Sequence, residues 1–139
     1  MEIAIAGCGA VSAVGPNVDS LRLAVRTNSS GLRKTPRFSA GYQSDILGTT
    51  DTTGEDPAYE LADRALREAH AQVALKDIPA ARIGLVFATT KANIESLERV
   101  TEERPCSASA RRHLLPHLLA ADLAASHGAA GPVQCVSVA

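Results

Sequence analysis

Apolar positions in this chain of 139 residues fall into short continuous runs that alternate with helical stripes. The run "IAIAG" at 3–7 leads into glycines and reads as a strand buried on both faces. In "NVDSLRLAVRTNSSG", Asn17 can cap a helix with Leu21, Ala24 and Val25 on one face, and Gly31 lies just past its end. From "LRKTPRF" to "TTDTTGED" the chain is polar and rich in Thr, Ser and Gly, apart from "YQSDILG". This region reads as loop with one or two weak edge strands.

Asp56-Pro57 is a helix start, a cap residue followed by proline in the first turn. The following "AYELADRALREAHAQV" puts Leu61, Ala65, Leu66 and Ala69 on one stripe and its charges on the other. "KDIPAARIG" turns the chain, and "IGLVFATT" is a second strand of the doubly buried kind. "ANIESLERVTEE" predicts a third helix, broken by "RPCSAS", and "LLPHLLAADLAASHG" a fourth with Pro116 in its first turn. "VQCVSVA" closes the chain as a strand. Strands of this type alternating with helices predict an α/β layered fold with a mixed, mainly parallel sheet flanked by helices.

Composition narrows the function classes. Apolar residues make up 45% of the chain but aromatics only 3%, so small aliphatic side chains must pack helices closely on a sheet. A net charge of -1 argues against nucleic acid or an anionic membrane surface as partner. No apolar run reaches the length of a membrane span. The start "MEIAIAGCGA" has Glu2 and no basic residue before its apolar run, so it does not read as a secretory signal. Three cysteines without metal-type spacing suit a reducing cytoplasm.

Several motifs invite chemistry. "GCGAVSAVG" suggests a dinucleotide turn, with Gly7 and Gly9 in its first two positions but Ser12 in the third. No strand ending in an acidic residue follows about 20 residues on. The alternative is that both glycines let the chain turn sharply and pack tightly. His113 and His117 would share a face of a regular helix, yet Pro116 intervenes and no carboxylate or thiolate neighbour completes a ligand set. They read as partly exposed histidines. His70 and His127 read as lone residues complementing helix C-termini. Cys8, Cys106 and Cys135 have no visible activating base, and Cys135, mid-strand, reads as a small core hydrophobe. Thr89 and Thr90 fall at a strand-to-helix turn, where open α/β sheets bind ligands, although a threonine hydroxyl there can simply cap the helix. Lys91 reads as a solvated loop charge.

Taken in order, these pieces resemble the β-ketoacyl-acyl-carrier-protein synthases, condensing enzymes of the thiolase-like superfamily. "IAIAGCGAVSAVGPNVDSLRLAVRTNSSGL" is similar to the family's opening strand, glycine turn and helix. "DPAYELADRALREA" resembles its next long helix, "ARIGLVFATT" the following strand, and "LLAADLAASHGAAGPVQCVSVA" the helix, "GP" turn and strand before the active-site cysteine. At "ATTKANIE" the chain departs from a stretch that is glycine-rich in many members.

The resemblance implies a thiolase-like layered fold in which residues 1–139 form an N-terminal portion, with the nucleophile expected directly after Ala139 at the N-terminus of a buried helix. The histidines and lysine that drive decarboxylation would come from the later half, and none of His70, His113, His117 or His127 matches them. No catalytic residue is therefore expected within the chain. The implied reaction is decarboxylative Claisen condensation of acyl and malonyl thioesters, with acyl carrier protein as partner, no cofactor and a cytoplasmic setting. Thr89, Thr90, Lys91 and Asn93 are expected to line the pocket or an interface. Val133, Cys135, Val136, Ser137 and Val138 are expected to form the edge strand of a homodimer or ketosynthase-like heterodimer, and Ser137 to Ala139 to position the next residue. Alone, the chain is expected to be poorly stable. Two other classes remain open: a non-catalytic chain-length-factor-like partner and a nucleotide-binding α/β module.

Overall fold

The computed structural model describes residues 3–35, 45–52 and 54–137, with Ser137 described by its backbone alone. The elements are α1 (Val18–Thr27), β1 (Leu32–Lys34), β2 (Ile46–Gly48), α2 (Pro57–His70), β3 (Leu85–Thr89), α3 (Ile94–Thr101), α4 (Ala108–Arg112), α5 (Pro116–Ser126) and β4 (Val133–Ser137). Single 3-10 turns at Leu75–Asp77 and Ala80–Arg82 lead into β3.

The centre of the fold is the parallel pair β3–β4, with Leu85 opposite Val133, Phe87 opposite Cys135 and Thr89 opposite Ser137. The chain between these strands carries α3, α4 and α5, and α5 packs on both strands and on α2. Pro116 opens α5 at a position that needs no amide donor, as its place in the sequence predicts. Leu119, Ala120, Leu123 and Ala124 form the buried stripe of α5. The two leucines supply most of its burial energy, about 1.5–3 kcal/mol each. Ala24 and Ala110 are the other buried apolar side chains among the described residues.

The doubly buried character expected of the strands is not met. Leu85, Phe87, Thr89 and Cys135 are half-buried, whereas Val86 is 68% and Val136 47% exposed on the opposite face. Side chains alternate along a strand, and the helices here cover one face of the pair only. Cys135 is accordingly half-buried and not a core residue. The strands also belong to two separate two-stranded sheets, because β1 and β2 pair antiparallel with each other. These are the weak edge strands expected of the Thr- and Ser-rich region. "YQSDILG" contributes Ile46–Gly48 to β2, and its first residues lie outside the described part.

The expected first strand is also corrected. Residues 3–11 have no strand partner and no helix, and Ile3 and Ile5 are 83% and 91% exposed. Side chains from α2 and from Gln72 just past it hold the end of this segment instead. The amide of Cys8 donates to Gln72 Oε1 (3.2 Å), and that of Ala10 to Glu68 Oε2 (2.9 Å). The backbone approaches α2 so closely that a Cβ on Gly9 would stand 1.9 Å from the carbonyl oxygen of Ala65, and one on Gly7 2.4 Å from that of Ala69. Neither glycine has a positive φ, so the pair serves close approach more than turning.

α1 begins at the expected cap: Asn17 Oδ1 accepts from the Ser20 amide at 2.8 Å. It ends not at Gly31 but at Asn28, whose φ of 52° is the left-handed conformation that asparagine tolerates. Of its apolar stripe only Ala24 is buried, and Val25 is 75% exposed. The short α4 replaces part of the break expected between the third and fourth helices, with Ser107 capping the amide of Ala110.

Gly9→Ala is expected to lift residues 7–10 off α2 and to destabilise the fold by about 1–3 kcal/mol, since the clash is with backbone that cannot rotate away. A denaturant titration comparing the two chains checks this.

Candidate functional site

In open α/β sheets, ligands bind outside the carboxyl ends of parallel strands. Here that edge is formed where β3 and β4 end in register at Thr89 and Ser137. The turn leaving β3 is closed by Thr89 Oγ1, which accepts from the amide of Ala92 at 2.9 Å. This hydroxyl shapes the turn and does not cap α3, whose N-cap is Asn93. Ala92 has φ of 50°, a left-handed conformation that costs a residue with a Cβ about 1 kcal/mol or more. Thr90 and Lys91 are exposed at the tip of the turn.

Asn93 is 2% exposed and borders a cavity at the start of α3 that Pro57, Leu61 and Glu95 also line. Its Nδ2 donates to Asp56 Oδ1 at 2.7 Å, while its Oδ1 has no partner. Asp56 is the N-cap of α2 and accepts from the Tyr59 amide with the same oxygen, at 3.4 Å. Its other oxygen meets Nδ1 of His113. The opposite ring nitrogen, Nε2, lies 2.9 Å from Asp122 Oδ2. Arg112 closes the chain with two contacts to Asp122, at 2.8 and 3.2 Å. The ring of Tyr59 stacks on the imidazole, centroids 5.1 Å apart and 8° from parallel. Both ring nitrogens of His113 thus face carboxyl oxygens.

His113 is therefore not one of a pair of exposed histidines. It is 2% exposed, it caps the C-terminal end of α4, and His117 is exposed on a different helix. The neighbouring residue completes the same junction: Glu55 accepts from Ser96 Oγ through its carbonyl (3.1 Å) and from the Ser107 amide through its carboxylate (2.8 Å). Two residues before α2 thus gather the β3–α3 turn, α3, α4 and α5. The only local sign of this was the Asp-Pro helix start; partners 37 and 57 residues away in sequence leave no periodic signal.

His70 and His127 do lie at helix C-termini, but not alone. Their Nδ1 atoms are 3.1 Å apart, and His127 Nε2 is 2.9 Å from Asp63 Oδ1. Burial, and then the neighbouring His127, hold the His70 pKa below the ordinary 6.5. The Arg112 guanidinium, followed by His113, lowers the pKa of Asp122.

Within the glycine segment two amides are already engaged. Gln72 and Glu68 already take the Cys8 and Ala10 donors, and Glu68 Oε1 accepts from the Val18 amide in the first turn of α1 at 2.8 Å. Cys8 is exposed and Cys106 half-buried, with no base beside either thiol among the contacts of the described residues. Val133 is 40% exposed on β4, and Val138 lies outside the described residues. Among the described residues no helix is long and apolar enough to cross a membrane, and no group of three or more His, Cys, Asp or Glu side chains converges as a metal site. No protein-family profile matches the chain, and no curated protein matches it.

His113→Leu is expected to leave Asp56 and Asp122 facing an apolar side chain and to destabilise the fold by about 2–4 kcal/mol, the partial exposure of Asp122 moderating the loss. Equilibrium unfolding measures this, and loss of protection at the Thr90–Asn93 amides in hydrogen exchange should accompany it.

The lowered His70 pKa sets a sign. The unfolded chain binds more protons than the folded one between the folded value and 6.5, so His70's contribution falls as pH drops through 6.5. In metal-free buffer, the Tm of the native chain relative to His70→Gln is expected to decline between neutral and mildly acidic pH. A constant difference would contradict it. Asp122 acts lower, its contribution being complete above 3.8 and lost as pH falls through its folded value.

Proposed function

We propose that this chain forms the N-terminal part of a β-ketoacyl-acyl-carrier-protein synthase of thiolase-like fold. The support begins with the colinear order of the motifs, from the glycine segment through "DPAYELADRALREA" to "GPVQCVSVA". The observation that carries the reading is the carboxyl edge of β3–β4. Two parallel strands end in register there, and the second is the strand that the resemblance places just before the reactive cysteine. The left-handed backbone at Ala92 agrees with this, because a glycine-rich turn is what many family members carry at that point and glycine is the residue such a φ favours. The exposed face bearing Val86 and Val136 agrees as well, since a layered fold would cover it with further helices.

On this reading the chain supplies scaffold and not nucleophile. A cysteine thiolate following β4 attacks the carbonyl of an acyl thioester, and the carrier's sulfur leaves as a thiolate that takes a proton from water. A malonyl thioester then loses carbon dioxide, and the resulting carbanion attacks the acyl-cysteine, releasing the thiolate and the β-ketoacyl product. Thr89 and the Thr90–Lys91 tip border the place where this would occur. Asn93, through Asp56 and His113, holds the turn in place. The partners are an acyl carrier protein and a second subunit.

The test uses the full gene product. Incubation with acyl- and malonyl-carrier thioesters is expected to release carbon dioxide and form β-ketoacyl thioester, with both lost when the cysteine after β4 is changed to alanine. A different residue at that place together with absent condensation would favour the chain-length-factor class, and absence of any downstream ketosynthase sequence would overturn the proposal.

A further inference from the structure

We propose that His70 and His127 form a binding site for a divalent transition-metal ion, clipping the C-terminal end of α2 to that of α5. The idea rests on the convergence of two ring nitrogens and on the group behind them. Nδ1 of His70 and Nδ1 of His127 stand 3.1 Å apart, with ring planes 76° from parallel. Two nitrogens bound to one ion at 2.0–2.1 Å are separated by about 2.9 Å at a right angle and about 3.4 Å at the tetrahedral angle. The observed separation lies between these limits, so an ion enters with small side-chain movement.

The second observation concerns the far nitrogen of His127. Asp63 Oδ1 is 2.9 Å from His127 Nε2, and Asp63 Oδ2 is held in turn by Arg67 Nε at 2.7 Å. A carboxylate there accepts Nε2–H, which fixes the tautomer and leaves the Nδ1 lone pair directed at His70. This carboxylate–histidine arrangement is the one that accompanies metal-ligating imidazoles. Asp63, Arg67 and His70 reach the site from successive turns of α2, and His127 is the C-cap of α5, so the ligands come from elements already in contact. Without metal, one proton bridges the two Nδ1 atoms. On binding, His70 moves that proton to Nε2 and donates its Nδ1 lone pair, so no net proton is released from the neutral pair.

Two imidazoles with water completing the shell suit zinc, nickel, cobalt or copper, and not calcium or magnesium, which prefer oxygen. This inference stands apart from the condensing-enzyme reading, since its residues lie on the helices and not at the strand edge.

The test is a titration of the EDTA-stripped chain with zinc chloride and with cobalt chloride, read by calorimetry, Tm and absorption. Saturable one-to-one binding that raises the Tm is expected, with a cobalt spectrum free of the thiolate charge-transfer band that Cys8, Cys106 or Cys135 would give. His70→Gln and His127→Gln are each expected to weaken binding at least tenfold, and Asp63→Asn by about 10–100-fold. His117→Gln, on the exposed part of α5, should leave it unchanged. Absence of saturable binding, a thiolate band, or affinity that survives His70→Gln overturns the proposal. Should His127→Gln fail to fold, the His70→Gln titration and the native chain's cobalt spectrum decide alone.

Discussion

A buried imidazole between two carboxylates is the constraint around which this molecule is organised. His113 is 2% exposed, and it meets Asp56 with one nitrogen and Asp122 with the other. Each carboxylate has further work. Asp56 caps α2 and anchors Asn93, and Asp122 binds Arg112. Burying such polar groups is costly, and their mutual attraction offsets that only when every lone pair and proton has a partner. The cluster nearly meets that condition, with Asn93 Oδ1 the unpartnered atom. Its effect is specificity of arrangement: four elements distant in sequence can close on the N-terminus of α2 in one way.

The apolar part of the structure does less than the composition promises. Small side chains dominate the buried set, as the low aromatic content implies, and Leu119 and Leu123 are the large ones. One face of β3–β4 and much of α1 remain open, with Val86, Val25 and Leu23 all more than 60% exposed. Polar contacts therefore carry an unusual share of the positioning. Glu68 and Gln72 secure residues 8–10 and α1, and residues 55–56 hold Asn93, Ser96, Ser107 and His113.

Helices were legible because their signals are local. Asn17, Asp56 and Pro116 mark starts through cap chemistry and proline geometry, and all three stand where those rules place them. The strand "IGLVFATT" and the final strand were legible as apolar runs, but not their one-sided burial, which depends on what lies across the sheet. "IAIAG" misled for a related reason: an apolar run becomes a strand only if a neighbouring strand accepts its hydrogen bonds, and among the described residues no strand pairs with it. The histidine clusters were illegible. Spacing paired His113 with His117, while the contacts join His113 to residues 56 and 122, and His127 to 63 and 70. Long-range polar pairing follows from topology, and sequence distance carries no trace of it.

The left-handed turn at Ala92 narrows what evolution can place there. At φ of 50° a β-branched side chain collides with its own backbone, so valine, isoleucine and threonine are closed as neighbours in mutational space. Glycine, asparagine and aspartate remain open, and alanine is the smallest residue that still bears the strain. The loop tip beside it is under no such restriction, since Thr90 and Lys91 point to solvent. Drift among relatives should therefore be lopsided across this turn: free at its apex, and confined to a short alphabet one step before the helix begins.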